Sequence, residues 1–360
     1  MRFEPVPWVP NFELGYWGQT VERWLSEGMP GEAVGGGFYG DEAFGIDKRG
    51  YLPVNLGPVP PLGPETIEET DRYIVIRDTD GAVRKGLKEG SARGTRLSMD
   101  QFISFAIQNP SDFERLEERF DPRSDGRYPD NFPAIAEELK HRDFPLCAVP
   151  NAAFGLYSHL RRYMGTEALS YAWYDCPNLI HEMLDFFTDF LLETLERGLH
   201  LVQCDYFNFF EDFAFKTGPL VSPRIFREFL LPRYERICEF MRRHGIEIIW
   251  FDSDGNFEVL IPMLLEAGIT CIWPLEVAAG NDPREIRRRF GKSLALSGGI
   301  DKRALASGRE AIRAELEAKI PPLLESGGYI PTVDHAVPPD VSYDNWRYYL
   351  ELKSELIGRA

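Results

Sequence analysis

Apolar runs of strand length recur along the carboxyl-terminal two thirds of the chain, at residues 146–150, 201–207, 246–251, 269–273, 293–297 and 329–333. Between them lie segments whose apolar positions repeat with helical spacing: 177–197, 223–244, 257–267, 283–290, 302–326 and 342–357. Ser222-Pro223 and Asp282-Pro283 each place a capping oxygen before a proline that suits a first helical position. Strands that alternate with helices predict a parallel sheet with crossover helices. Six strands can be counted, and 7–14 and 51–56 are weaker candidates for two more. Eight strands would close a TIM (β/α)8 barrel. The competing fold is an open doubly wound sheet, but no Gly-x-Gly-x-x-Gly follows any run, so the barrel is favoured.

The first hundred residues differ. The glycines at 35–37 and the stretch Pro58-Val59-Pro60-Pro61 mark loops. Residues 17–27 have helical spacing, and 72–78 and 83–87 alternate around Asp80-Gly81, a hairpin dipeptide. Ser111 to Glu114 reads as a capping box opening a helix to Phe120. With no internal repeat and no low-complexity linker, residues 1–360 read as a single domain. It has an aromatic, loop- and hairpin-rich extension over 1–100 and a barrel core over 140–355.

A content of 44% hydrophobic and 27% charged residues is that of a globular chain. No apolar run approaches the roughly 20 residues of a membrane helix, and no apolar leader follows Met1. Acidic residues outnumber basic ones 57 to 40, a net charge of −17, which argues against nucleic-acid and anionic-membrane partners. The five cysteines (147, 176, 204, 238 and 271) are odd in number and form no CxxC pair. They are expected to be reduced, mostly buried thiols of a cytoplasmic protein.

A barrel carries its active site at the carboxyl ends of its strands. There the sequence offers Asp205-Tyr206, then Glu211-Asp212 and Lys216; Asp252-Ser253-Asp254-Gly255-Asn256; Glu276; Gly298-Gly299 with Asp301-Lys302-Arg303; and Asp334-His335 before Pro338-Pro339. Together they describe a polar funnel. Glu211 and Asp212, amid Phe207, Phe209, Phe210, Phe213 and Phe215, are placed to have their pKa values pushed apart, one remaining a general acid. A helix-dipole role or an ion pair with Lys216 is the structural alternative. Gly298 and Gly299 allow backbone to approach a ligand, Asn151 follows the first run, and Tyr16 and Trp17 form either a pocket wall or a packed plug. Asp252 to Asn256 can equally be an Asx-rich turn capping the next helix, and Asp334-His335 a hydrogen-bonded brace. His159 reads as part of a solvated face; His141, His181, His200 and His244 read as structural.

Glu211-Asp212 through Ser222-Pro223, the 226–232 stretch with Arg233-Tyr234, the Asp252-x-Asp254-Gly255-Asn256 turn, Gly298-Gly299-Ile300-Asp301 and Asp334-His335-Ala336-Val337-Pro338-Pro339 have a familiar layout. It resembles the uroporphyrinogen decarboxylase superfamily, which includes the corrinoid-linked methyltransferases, over about residues 140–355. The resemblance implies a TIM barrel. The decarboxylases of this superfamily grip substrate carboxylates with an arginine-rich segment near the start. Residues 8–17 here contain no arginine, which speaks against a poly-acid tetrapyrrole. The methyltransferases bind zinc through thiolates, where this chain has Asp252-x-Asp254 and His335, with Glu276 on the strand between. Asp252, Asp254, Glu276 and His335 are therefore expected, by resemblance, as a hard ligand set for Zn, Mn or Fe(II), or else as metal-free acids and bases.

The resulting expectation is transfer of a methyl group from a small O- or N-methyl compound to a corrinoid protein. His335, Asp252, Glu211, Asp212, Asp205 and Tyr206 would be catalytic, and Tyr16, Trp17, Asn151, Lys216, Gly298 and Gly299 would bind substrate. The alternatives are a cofactor-free porphyrin-type decarboxylase and a non-catalytic binding barrel. The partners expected are the small molecule, a corrinoid protein and a second copy in a homodimer.

Overall fold

The apolar runs assemble into a seven-stranded parallel sheet in a computed structural model that describes residues 1, 3–4, 8–31, 37–96 and 98–359. Pro7 of the 7–14 candidate and two of the three glycines at 35–37 lie outside the described residues. In chain order the strands are β1 (Gly50–Tyr51), β2 (Glu65–Glu69), β3 (Tyr73–Arg77), β4 (Val83–Leu87), β5 (Gln101–Ser104), β6 (Leu146–Cys147), β7 (Tyr206–Phe210), β8 (Ala214–Phe215), β9 (Gly218–Pro219), β10 (Ile248–Asp252), β11 (Cys271–Trp273), β12 (Ala295–Ser297) and β13 (Tyr329–Ile330). The parallel sheet runs β1-β6-β7-β10-β11-β12-β13, so each strand lies beside its successor within it. β6, β11, β12 and β13 are buried at every position, as strands covered on both faces must be. No described helix is long and apolar enough to cross a membrane.

β2 to β5 form a separate antiparallel sheet, and the turn at Asp80-Gly81 joins β3 to β4 in the register Arg77↔Val83. The next helix, Pro110–Glu117, has its capping box two residues earlier than the sequence suggests. Asn109 accepts from the Asp112 amide and Asp112 accepts from the Asn109 amide, because Pro110 takes the first helical position.

The edges of the parallel sheet are bridged by residues 11–17. The Asp47 amide donates to the Asn11 carbonyl at 2.9 Å, just before β1. On the other side, the Val333 amide donates to Glu13 Oε2 at 3.0 Å, and Val337 donates to the Gly15 carbonyl at 2.9 Å. Among the described residues no eighth ladder forms from 7–14, because side-chain bonds replace backbone pairing there. Similarly, the 51–56 candidate contributes only Tyr51 to the two-residue β1, Gly50–Tyr51. Glu13 is buried and receives Lys353 Nζ and Tyr349 Oη, each at 2.6 Å.

One boundary matters for function. The helix Pro177–Leu199 outlasts its expected end, and the following strand is Tyr206–Phe210 rather than 201–207. The consecutive aromatics, not Leu201-Val202, make the rung.

Candidate active site

The carboxyl ends of β7 and β10 are level, with Phe210 opposite Asp252 in the ladder. The Glu211 amide continues it by donating to the Asp252 carbonyl at 2.9 Å. The Glu211 carboxylate is buried and accepts from the Leu156 amide (2.5 Å), the Ser158 amide (3.0 Å) and Tyr234 Oη (2.5 Å). Burial pushes its pKa up to about 7, against the opposing pull of those donors. Its oxygens thus cap the helix Leu156–Met164, which anchors the β7 end. Asp212 follows at φ 43, a strained value for a residue with a side chain. Arg161 holds it, donating to its carbonyl at 2.9 Å and pairing with its carboxylate at 3.5 Å. Burial raises this carboxyl, Asp254 adds to the effect and Arg161 opposes it.

Asp252 ends β10 and is only 6% exposed. Its carboxyl lies well above the usual range, first through burial and then through the charges of Asp254 and Asp212, with Arg49 opposing. Among the described residues no hydrogen bond reaches its side chain. Such surroundings favour the protonated form of the carboxyl, the form that can donate a proton.

The loop after β10 meets the turn after β13 where His335 Nε2 lies 3.3 Å from Asp254 Oδ2. Burial favours the neutral ring, but the Asp254 hydrogen bond and charge outweigh it, so the His335 pKa is raised. Glu276 accepts from the Gly255 amide at 3.1 Å and from Lys302 Nζ at 2.9 Å. Asp334, fully buried, accepts from the Val277 amide (2.9 Å) and the Lys302 amide (3.1 Å), with Lys302 Nζ at 3.9 Å. Three turns of the mouth are thus tied by one ammonium and two acids.

The proposed ligand set does not close. Among the described residues no three of Asp252, Asp254, Glu276 and His335 bring donor atoms within 4.8 Å of one another. Glu276 is taken by Lys302 and Asp254 by His335. As spaced here, the four side chains do not fit a shared ion and are spent on proton-bearing partners.

The remaining expected residues are scattered. Asp205 sits at the amino end of β7, because that strand starts later than expected. Its amide donates to the Leu146 carbonyl (2.9 Å), and its carboxylate holds Arg142 and the Leu146 amide, each at 2.7 Å. It therefore leaves the site. Tyr206 begins β7 and lines a cavity of about 10 Å³ inside the sheet, together with Arg49, Asn151, Asn208, Trp250 and Trp273. That is room for about one water. Lys216 is exposed on the β8–β9 turn and pairs with neither Glu211 nor Asp212. Gly298 and Gly299 are explained by packing. A Cβ would stand 1.8 Å from the Pro274 carbonyl oxygen at the first and 2.7 Å from the Pro283 ring at the second. Tyr16 donates to Asp41 at 3.2 Å and packs on Trp24, Phe44 and Trp346, a plug rather than a wall. Trp17 precedes the helix Gly18–Ser26 and donates its amide to the Val337 carbonyl. His159 is not solvated: it is fully buried against Phe154 and Phe187, its pKa far below normal through burial.

Arg49 escaped the sequence reading. It is buried over the Phe38 ring at 3.7 Å and donates to the Phe38 and Glu13 carbonyls. No carboxylate pairs with it among the described residues, yet its charge reaches Asp252. A guanidinium in the charged tripeptide Asp47-Lys48-Arg49 before a two-residue strand carries no periodic signal.

The family model described as uroporphyrinogen decarboxylase (URO-D) matches residues 94–356. The chain belongs to the uroporphyrinogen decarboxylase family. The uroporphyrinogen decarboxylase of Pseudomonas putida strain GB-1 is 25% identical over 318 residues, covering 81% of this chain and 82% of that protein. The zebrafish (Danio rerio) enzyme is 26% identical over 262 residues, 68% of this chain and 66% of its own length. In structure the chain is similar to a methyltransferase from Methanosarcina mazei, with a TM-score of 0.57 and 16% identity, covering 98% of this chain and 96% of the other. That likeness concerns the fold.

Proposed function

We propose that this URO-D-family chain is a metal-free, acid-assisted methyltransferase acting on a small O- or N-methyl compound, with its site at the carboxyl ends of the strands. We read the sheet with residues 11–17 as a closed (β/α)8 barrel, the segment serving as the eighth stave. The observation that carries the functional reading is Asp252, a buried carboxyl with a raised pKa at the end of a central strand, with no hydrogen-bond partner among the described residues.

A methyl ether is a poor methyl donor because its leaving oxygen would depart as an alkoxide. In the proposed step the C–O bond breaks, its electron pair stays on oxygen, and that oxygen takes the Asp252 proton. The methyl group would pass to a co-substrate, the reduced corrinoid of a partner protein presented at the mouth, whose own electron pair makes the new bond to carbon. Asp212 and Asp254 keep Asp252 protonated until the leaving group forms, and the Asp254–His335 couple holds the opposite side of the mouth in place.

The curated relatives favour a second reading, decarboxylation, in which Asp252 supplies the proton that replaces carbon dioxide and Arg49 receives a carboxylate. A tetrapyrrole with many carboxylates fits it poorly. Arg161 and Arg162 are already engaged with Asp212 and Asp80, leaving Arg49, which has no acidic partner among the described residues, as the guanidinium whose charge reaches Asp252.

The test is an assay of purified protein with a reduced corrinoid protein and a panel of methyl ethers and methylamines, followed by the cobalt absorption spectrum, beside a uroporphyrinogen assay. Methylation that is lost in Asp252→Asn supports the first reading. Coproporphyrinogen at enzyme-like rates without methylation replaces it with the second.

A further inference from the structure

We infer that the chain carries a divalent transition-metal site far from the mouth, built by Glu196, His200 and His244. Among the described residues this is the one group of three His, Cys, Asp or Glu side chains whose donor atoms all lie within 4.8 Å of one another. Glu196 and His200 occupy the end of the helix Pro177–Leu199 and the residue after it, and His244 follows the helix Leu231–Arg243. These helix ends precede β7 and β10, so the group stands at the amino ends of the strands.

The residues are set for metal before any metal arrives. His244 Nδ1 faces the Phe240 carbonyl oxygen at 3.0 Å. A carbonyl only accepts, so Nδ1 carries the hydrogen and Nε2 keeps its lone pair. That Nε2 lies 3.4 Å from Glu196 Oε2. Two ligands about 2.0–2.1 Å from a tetrahedral ion stand about 3.4 Å apart, so the pair already has a ligand spacing. His200 Nδ1 also faces a carbonyl, that of Glu196 at 2.8 Å, which leaves its Nε2 as the free lone pair, while Glu196 Oε1 lies 3.4 Å from Nδ1. The rings are 6.1 Å apart between centroids. Gln203 fixes the approach by donating to the His244 carbonyl at 3.0 Å.

Two imidazoles and one carboxylate are a donor set for zinc, with a fourth position left to water from the shallow basin that His200 and His244 line. Softer Cu²⁺ would bind at least as well, and Mg²⁺ or Ca²⁺ poorly. A bound ion would pin the ends of two helices that cover the sheet.

The probe is zinc chloride titrated into metal-free full-length protein against a chromophoric zinc chelator, with a thermal melt in parallel. One equivalent should bind and raise Tm. His244→Ala and His200→Ala, which alter partly or well exposed rings, should each weaken binding about tenfold or more. Asp252→Asn with His335→Ala should leave it unchanged, so this result is independent of the function proposed for the mouth. Absence of stoichiometric binding, or binding that survives His244→Ala and His200→Ala but is lost in the mouth variant, overturns the inference.

Discussion

His335 Nε2 and Asp254 Oδ2 stand 3.3 Å apart and join the turn after β13 to the loop after β10. Burial alone would lower the histidine, so a raised pKa measures the carboxylate beside it. In an NMR titration His335 should titrate above 6.5, and in Asp254→Asn it should fall below that value, because burial and the Lys302 charge then outweigh the charge of Glu276. The sign for stability follows from the same shift. A folded pKa above the unfolded one stabilises fully below pH 6.5, and the contribution is lost as pH rises through the folded value. Urea denaturation at pH 6 should therefore separate wild type from His335→Ala more than at pH 8.5. Equal separation would mean that the pair is not charged.

Asp252 has the opposite signature. An acid with a folded pKa far above 3.8 destabilises the fold increasingly as pH rises from about 4 towards that value, by up to about 1.4 kcal/mol per pH unit. Asp252→Asn removes that cost without changing shape. The variant should be more stable than wild type at pH 7, with a gain larger than at pH 4.5, while proton-dependent turnover falls about 10²- to 10⁴-fold. A variant that stays active would show that Asp252 is not the proton donor, and one less stable at neutral pH would show that the carboxyl is ionised in the fold.

What the sequence disclosed and what it concealed divide along physical lines. Local chemistry was legible: the helix Pro283–Phe290 and its Asp282 cap, the Ser222 cap, and Asp252 at the end of its strand all follow from short-range rules. Choices of partner were not. Glu276 reads as a ligand until Lys302, 26 residues later, is found against it, and Gly298 reads as a ligand cradle until Pro274 fills the space. Glu196 and His200 do carry an i,i+4 signal, but His244 joins them only through the packing of two helices. Asp205 was misplaced by the late start of β7, which moved it from one end of the sheet to the other.

Lys302 is the counter-charge for two acids. Lys302→Met leaves Glu276 and the fully buried Asp334 without their ammonium. Because Lys302 and Glu276 are both partly exposed, the expected loss is moderate, about 1–3 kcal/mol by denaturant melt. Glu276→Gln should cost less in the Lys302→Met background than in wild type, since the charge it removes is already unpaired. Additive effects would mean that the two side chains do not interact.

Glu13 and Lys353 make the sharpest test of how the sheet is closed. They are 340 residues apart, meet at 2.6 Å, and are both buried. Glu13 also takes the Val333 amide beyond β13, while Lys353 Nζ holds the Phe12 carbonyl at 2.9 Å, so one ion pair ties the first segment of the chain to the last strand and to the final helix. Lys353→Met strands a carboxylate in the interior and should cost about 3–5 kcal/mol. Glu13→Gln should cost less, because its one amide oxygen can still accept from Tyr349 and Lys353, although the bond from the Val333 amide is lost. The double variant should recover much of the loss, since neither charge then remains. Hydrogen exchange locates the effect: amides of residues 11–17 and of Val333 should lose protection in Lys353→Met before those of β7 and β10 do. Uniform loss of protection across the sheet would mean that the pair stabilises the whole core and not the closure between its edges.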